Sequence, residues 1–244
     1  MAVAFLNYEY RYRRNGKPVF APNDRGKRIG NDIKRQINRA VQFDPFYYHF
    51  RKGGHVAALH AHREHNFFAR LDLERYFYSI SKSRVQRALS ESGILRARHY
   101  AKWSCVRNPF DDPRYSLPYG FVQSPILATL VMMTSGVGDF LRTVDPDVTA
   151  SVYMDDISLS SNDEELLRQT FETLRVRLEE ANFIINTGKV REPGPAIDLF
   201  NCDLRSGHTS VKKSRVDQFY VEQRTQFSEE AFERYCEGVE AGNT

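Results

Sequence analysis

The chain has 244 residues, of which 41% are hydrophobic and 27% charged, enough apolar content for one large domain or two small ones. No apolar run is long enough to cross a bilayer, and the polar, basic stretch from Tyr8 to Arg14 does not fit a signal peptide. Three scattered cysteines, Cys105, Cys202 and Cys236, argue against a disulfide framework and for a reducing compartment; the net charge of +4 says little until its distribution is read.

That distribution is uneven. Arg11, Arg13, Arg14, Lys17, Arg25, Lys27, Arg28, Lys34, Arg35, Arg39, Arg51 and Lys52 crowd into the first segment, among the aromatics Tyr8, Tyr10, Tyr12, Phe43, Phe46, Tyr47, Tyr48 and Phe50. Basic side chains hold phosphates and aromatic faces stack on bases, so the set suits a single strand or a hybrid duplex. Arg13 to Pro22 predicts two short strands around an Asn15-Gly16 turn, and Ile29, Ile33, Ile37 and Val41 recur at helical spacing through Gln42. His55, His60, His62 and His65 cluster without cysteine or a clear ligand helix, which reads as surface or RNA-facing rather than zinc-binding.

Phe68 to Phe77 then reads as an apolar strand ending in Asp72, followed by a turn toward an aromatic pair. A helix is predicted from Lys82 with Val85, Ala88 and Leu89 on one side, ending near Gly93; a polar connector runs on to Leu117. In Leu117 to Pro125 a Pro/Gly turn precedes a helix start, with Ser124 as N-cap and Pro125 at the first helical position. Ile126 to Met133 is predicted as a buried helix stopped near Gly136 and Gly138.

Ser151 to Ser160 has the pattern of two strands joined by a tight turn, with Asp155 and Asp156 at its tip. Adjacent carboxylates repel in water, but a divalent cation between them and a third acid makes the arrangement sensible, and Asp72 is the candidate third acid. Downstream, Asn162 or Asp163 caps a long helix burying Leu166, Leu167, Phe171, Leu174 and Leu178. Phe183 to Lys189 predicts a short strand and polar turn, Pro193 to Pro195 another turn, Leu199 to Gly207 a hairpin, and Ser228 the start of a last helix with Phe232, Tyr235 and Val239 on one face.

Three of these segments, around Asp72, around Gly120 and around Asp155, resemble in order motifs A, B and C of reverse transcriptases; Tyr153-Met154-Asp155-Asp156 matches the third residue for residue. The resemblance implies an α+β right-hand polymerase with fingers and palm and a minimal thumb: residues 1–66 as basic fingers, 67–205 as palm, 206–244 as primer-grip end and thumb helices. It implies two Mg²⁺, with Mn²⁺ as a substitute, held by Asp72, Asp155, Asp156 and the Leu73 carbonyl. Phe77 takes the sugar-gate position, where a bulky ring excludes a 2′-hydroxyl; Tyr119, Gly120, Gln123, Arg14, Lys17 and Lys189 are the other implied nucleotide contacts. Arg51, Lys52, Tyr153 and Met154 are the implied nucleic-acid contacts.

Two departures qualify the match. Tyr119 stands where motif B usually has Gln, which bears on ordinary templating, and Phe200-Asn201-Cys202 stands where retron enzymes tend to carry Val-Thr-Gly. The size and spellings look most like bacterial retron-like, abortive-infection and defence-associated enzymes, which implies a bacterial cytoplasm, dNTPs, an RNA template or structured non-coding RNA, a DNA product, no membrane, and a second copy or a companion defence protein as partner. Three readings stay open: templated DNA synthesis on RNA in antiphage defence, template-independent or protein-primed DNA synthesis, and a catalytically silent RNA-binding scaffold. A viral RNA polymerase is a more distant alternative.

Overall fold

Asn15 and Gly16, with φ of 49° and 75°, turn the chain back on itself and pair β1 (Tyr8–Arg14) with β2 (Lys17–Pro22). Two successive left-handed residues match the twist of the flanking strands, and Asn-Gly adopts them at little cost. The computed structural model describes residues 6–244. It divides into two units: the first takes in the chain to Asp44, Leu73–Arg142 and Arg177–Ile184, the second Pro45–Asp72, Thr143–Val176 and Ile185–Thr244.

In the first unit β2 leads to α1 (Asp24–Ala40), where the Asn23 side chain accepts the Gly26 N–H at 2.8 Å and Ile33 and Ile37 are fully buried. The chain crosses to the second unit for α2 (Gly54–His62) and β3 (Phe67–Asp72). It returns for α3 (Tyr76–Ser79), α4 (Lys82–Glu91), α5 (Ala97–Ser104), the short strands β4 (Val106–Arg107) and β5 (Tyr115–Ser116), α6 (Ser124–Met133) and α7 (Gly136–Arg142). Phe20, Tyr78, Val106 and Phe121 form a core cluster in this unit.

The second unit resumes with β6 (Val148–Tyr153), β7 (Asp156–Ser161) and the start of α8 (Glu164–Glu180). β8 (Arg191–Gly194), β9 (Ala196–Leu199), β10 (Cys202–Arg205), β11 (His208–Val211), α9 (Lys213–Tyr220) and α10 (Gln226–Glu240) follow. One antiparallel sheet has the order β6-β7-β3-β8 and a second the order β11-β10-β9. Ile197, Leu199, Cys202, Leu204 and Val211 alternate onto the inner face of the second sheet and pack with Leu59, Phe68, Phe232 and Val239.

Several local expectations are corrected. The predicted polar connector before Leu117 holds α5, whose Trp103 is buried with the Arg25 guanidinium 4.9 Å from its ring centroid. α6 ends at Met133 as expected, but Gly136 and Gly138 lie in a further helix, α7, instead of a break. Ser124 lies inside α6 and donates its hydroxyl to the Pro118 carbonyl at 2.7 Å, leaving Gln123 at the cap. Residues 183–186 form no extended strand, and Pro193 lies in β8, an edge strand where a missing N–H is tolerated. The last helix starts earlier than Ser228, with Thr225 as its cap accepting the Ser228 N–H at 3.3 Å. Among the described residues, no single helix is long and apolar enough to cross a membrane.

Candidate active site

β3 carries Phe68, Arg70 and Asp72 on one face, because alternate residues of a strand point the same way. Its register with β7 sets Asp72 opposite Asp156, and the register of β6 with β7 sets Tyr153 opposite Asp156. Met154 and Asp155 therefore form a two-residue turn, with Met154 at φ 60°, a conformation that costs a side-chain-bearing residue about 1–2 kcal/mol. The His49 ring sits against this turn, its Nδ1 3.4 Å from both the Val152 carbonyl oxygen and the Met154 nitrogen; burial pulls its pKa down to about 4.

The carboxylates are compensated by cations on the same unit. Lys189 Nζ lies 3.0 and 3.2 Å from the two Asp72 oxygens, and the Asn186 amide donates to Asp72 Oδ1 at 3.1 Å. Arg70 donates from Nε to Asp156 Oδ1 at 2.7 Å, and its Nη2 lies 2.5 Å from that oxygen and 3.8 Å from Asp72 Oδ2. Burial pushes the Asp156 carboxyl up to about 6; Arg70 opposes the rise, and the Asp155 and Asp72 charges add to it.

Among the described residues, no three His, Cys, Asp or Glu side chains converge as a metal cage. Asp72 and Asp156 face one another, while Asp155 occupies the turn. The donor chemistry nevertheless fits a hard divalent cation: the oxygens are carboxylates, and Asp156 carries like-charge stress that such a cation would relieve.

The remaining candidates divide between the units. In the second, Tyr153 lies edge-on to Phe200, His55 and His49 at centroid distances of 5.2, 5.9 and 5.8 Å. With Met154, Asp155, Asp156, Asn201, Arg215 and Tyr235, the Tyr153, Phe200 and His55 rings border a cavity of about 480 Å³. Arg51 and Lys52 are exposed, and the Arg51 guanidinium stands 4.5 Å from the Tyr48 ring centroid. In the first unit, Leu73 is buried, Arg14 and Lys17 are exposed register partners at the end of the β1–β2 hairpin, and Lys17 Nζ lies 5.3 Å from the Tyr119 centroid. Phe77 is buried and edge-on to Tyr119 at 4.8 Å, in keeping with either a gate or a core ring.

Gly120, at φ 100°, brings its backbone so close to the Phe20 carbonyl oxygen that a Cβ would collide with it. Gln123 is turned inward: it is 1% exposed, and its side-chain amide donates to Ser104 Oγ at 3.4 Å. His62 corrects the surface reading of the histidines. It is fully buried, 2.7 Å from both Ser151 and Ser160 hydroxyls, and burial pulls its pKa down to about 3.

Sequence reasoning missed Arg70, Asn186 and Asp198. Arg70 could have been found from its two-residue spacing to Asp72; Asn186 precedes Lys189 by one turn; Asp198 had no signal near the acids. Asp198 is held below the usual carboxylate range: burial works against this, and Arg191, Lys212 and Arg70 outweigh it.

A family model described as reverse transcriptase (RNA-dependent DNA polymerase) matches residues 14–193. No curated protein matches the chain. Among solved structures, a foamy viral protease–reverse transcriptase in complex with double-stranded DNA superposes with a TM-score of 0.51 at 16% identity, over 88% of this chain and 32% of that one. Telomerase from Candida albicans, in complex with a fragment of telomeric RNA, gives 0.50 at 12% identity, over 74% of this chain and 36% of that one. Telomerase from Candida tropicalis gives 0.50 at 10% identity, over 73% and 43%. The chain thus spans less than half the length of each of these proteins, and the likeness is one of fold.

Proposed function

Since the chain belongs to the reverse transcriptase (RNA-dependent DNA polymerase) family, we propose that it adds deoxynucleotides to a 3′-hydroxyl on an RNA template. The observation that carries this reading is the register that sets Asp72 opposite Asp156, with Asp155 in the adjoining turn. Asp72, Asp155, Asp156 and the Leu73 carbonyl would hold two divalent ions, Mg²⁺ or Mn²⁺. Such ions, when bound, make a 3′-hydroxyl nucleophilic and neutralise charge on the transferred phosphate and on pyrophosphate.

The chain's own residues do the rest. Lys189, its side chain 54% exposed while it touches Asp72, can turn its ammonium from that carboxylate to a departing pyrophosphate. Asn186 keeps Asp72 oriented when the lysine leaves. Arg14 and Lys17 offer charge to the triphosphate, and Tyr153 and Met154 support the primer end. Phe77 as gate excludes ribose: Phe77→Val is expected to cut discrimination against ribonucleotides by about 10-fold to 100-fold in competitive incorporation assays. On this reading residues 1–66 act as fingers, 67–205 as palm and 206–244 as primer grip and thumb.

The motif spellings that resemble bacterial retron-like, abortive-infection and defence-associated enzymes support a bacterial antiphage role, with a structured non-coding RNA as template or partner. One observation favours a second reading. Tyr119, in place of the usual Gln, lies edge-on to Phe77 and offers a ring that can stack on a base without reading it, which favours template-independent synthesis, protein-primed or not. Incubating the purified chain with Mg²⁺ and each labelled dNTP, with and without co-purifying RNA, and sequencing the product separates the readings. A complementary copy supports templated synthesis and a homopolymer or protein-linked product supports the second. RNA binding with no synthesis leaves only a scaffold.

A further inference from the structure

One guanidinium touches three carboxylates from three strands. Arg70, its side chain only 12% exposed, holds Asp156 Oδ1 on β7 through Nε and Nη2 and reaches toward Asp72 on its own strand. Its third nitrogen donates to the Asp198 carbonyl oxygen on β9 at 3.1 Å and lies 3.5 Å from Asp198 Oδ2. Asp198 is in turn gripped by Arg191 Nε at 2.6 Å and Lys212 Nζ at 3.4 Å. A chain of charge therefore runs from the β9–β11 sheet, through Arg70, to the acid at the hairpin.

We propose that Arg70 is a positioning residue that competes with divalent metal for Asp156, and that Asp198 sets how hard it competes. This rests on the reading of Asp72 and Asp156 as metal-holding acids. Arg70 occupies one oxygen of Asp156, fixing the carboxylate's orientation while placing a positive charge where a cation must come. By sharing that charge, Asp198 draws the guanidinium toward β9 and lessens its hold on the acids. The planar fork of arginine is what allows it to face two strands at once; a lysine ammonium is a single point charge and cannot. Metal loading at the hairpin is thus tied to the placement of the β9–β11 sheet, whose Phe200-Asn201 turn borders the same aromatic cavity as Asp155 and Asp156.

Calorimetric titration of Mg²⁺ alone into the purified chain tests this, with circular dichroism reporting folding. Arg70→Gln, which keeps a donor but removes the charge, should tighten Mg²⁺ binding about tenfold, and Asp198→Asn should weaken it by about the same factor, the scale on which a ligand's outer partners act. In the Arg70→Gln background, Asp198→Asn should have no further effect, because its influence passes through the guanidinium. Asp203→Asn removes a charge from the same sheet at a side chain 64% exposed and should leave binding unchanged. If Arg70→Gln fails to fold, the cycle is run with Arg70→Lys, where Asp198→Asn should again be silent. Wild-type chain that binds no Mg²⁺ overturns the metal reading and this proposal together. Wild-type binding with additive effects of the two substitutions, no effect, or an equal effect of Asp203→Asn overturns this proposal alone.

Discussion

Among the hairpins of this protein closed by two-residue turns, β1–β2 and β6–β7 solve the turn in opposite ways. The β1–β2 hairpin uses Asn15-Gly16, residues suited to positive φ, and leaves its charges in water: Arg11, Arg13, Arg14 and Lys17 are all exposed. The β6–β7 hairpin uses Met154-Asp155, places a methionine at φ 60°, and has Asp156 largely buried against Arg70. It is also clamped from behind, since buried His62 bonds Ser151 on β6 and Ser160 on β7. The first turn follows local preference; the second departs from it and is held by tertiary contacts, which is the pattern expected where a site needs side chains in a set place.

The largest expected difference between the hairpins is chemical. Asp72→Asn removes half of the facing carboxylate pair and should lower dNTP incorporation by on the order of 10³-fold, a metal ion's share of several kcal/mol, with RNA retention unchanged. Filter binding beside single-turnover incorporation checks both. The contrast breaks if Arg14→Ala in the exposed hairpin costs as much.

The clamp gives the next effect, and its sign is fixed. The unfolded His62 titrates near 6.5 and the folded one near 3, so its contribution to stability is complete above 6.5 and is lost as the pH falls from there toward 3. Urea midpoints measured from pH 8 to pH 4 should fall more steeply for the wild type than for His62→Gln; parallel curves would show that the buried ring is not what holds the two strands.

At the exposed hairpin, replacing Arg14 and Lys17 together by Ala should raise the KM for dNTP about tenfold with little change in kcat, the loss of contacts made equally before and during reaction. An equal loss in kcat would mean that these charges act in the chemical step.

The smallest effects concern the turns themselves. Gly16→Ala should destabilise by about 1 kcal/mol, because φ of 75° suits no side chain. Met154→Gly should stabilise by about 1 kcal/mol by relieving the same conformation, while lowering synthesis. Denaturant unfolding of the two variants sharpens the comparison if the signs are opposite, and removes it if both destabilise equally.

The same contrast explains what was legible in the sequence. Asn15-Gly16 announced its turn through local chemistry, and Asp155-Asp156 did so through an alternation of apolar residues on either side. The buried stripe of α8 was visible as Leu167, Phe171, Leu174 and Leu178, all fully buried at helical spacing. α5, α7 and α9 were missed because helices of eight, seven and eight residues complete barely two turns, too short a stretch for an apolar stripe to repeat. Pro193 misled because its place in a strand depends on lying at a sheet edge, which only the assembled sheet reveals. The cations of the site divide similarly: Arg70 shares a strand face with Asp72, whereas Asp198 lies 128 residues from Arg70 and meets it only through folding.

The most direct test of the central claim is Mn²⁺ binding followed by electron paramagnetic resonance as the ion is titrated into purified protein with a dNTP present. The wild type should immobilise Mn²⁺, and Asp72→Asn and Asp156→Asn should each release it while remaining folded. Undiminished binding by both variants would contradict a metal site at these acids, and with it nucleotide joining at the β6–β7 hairpin.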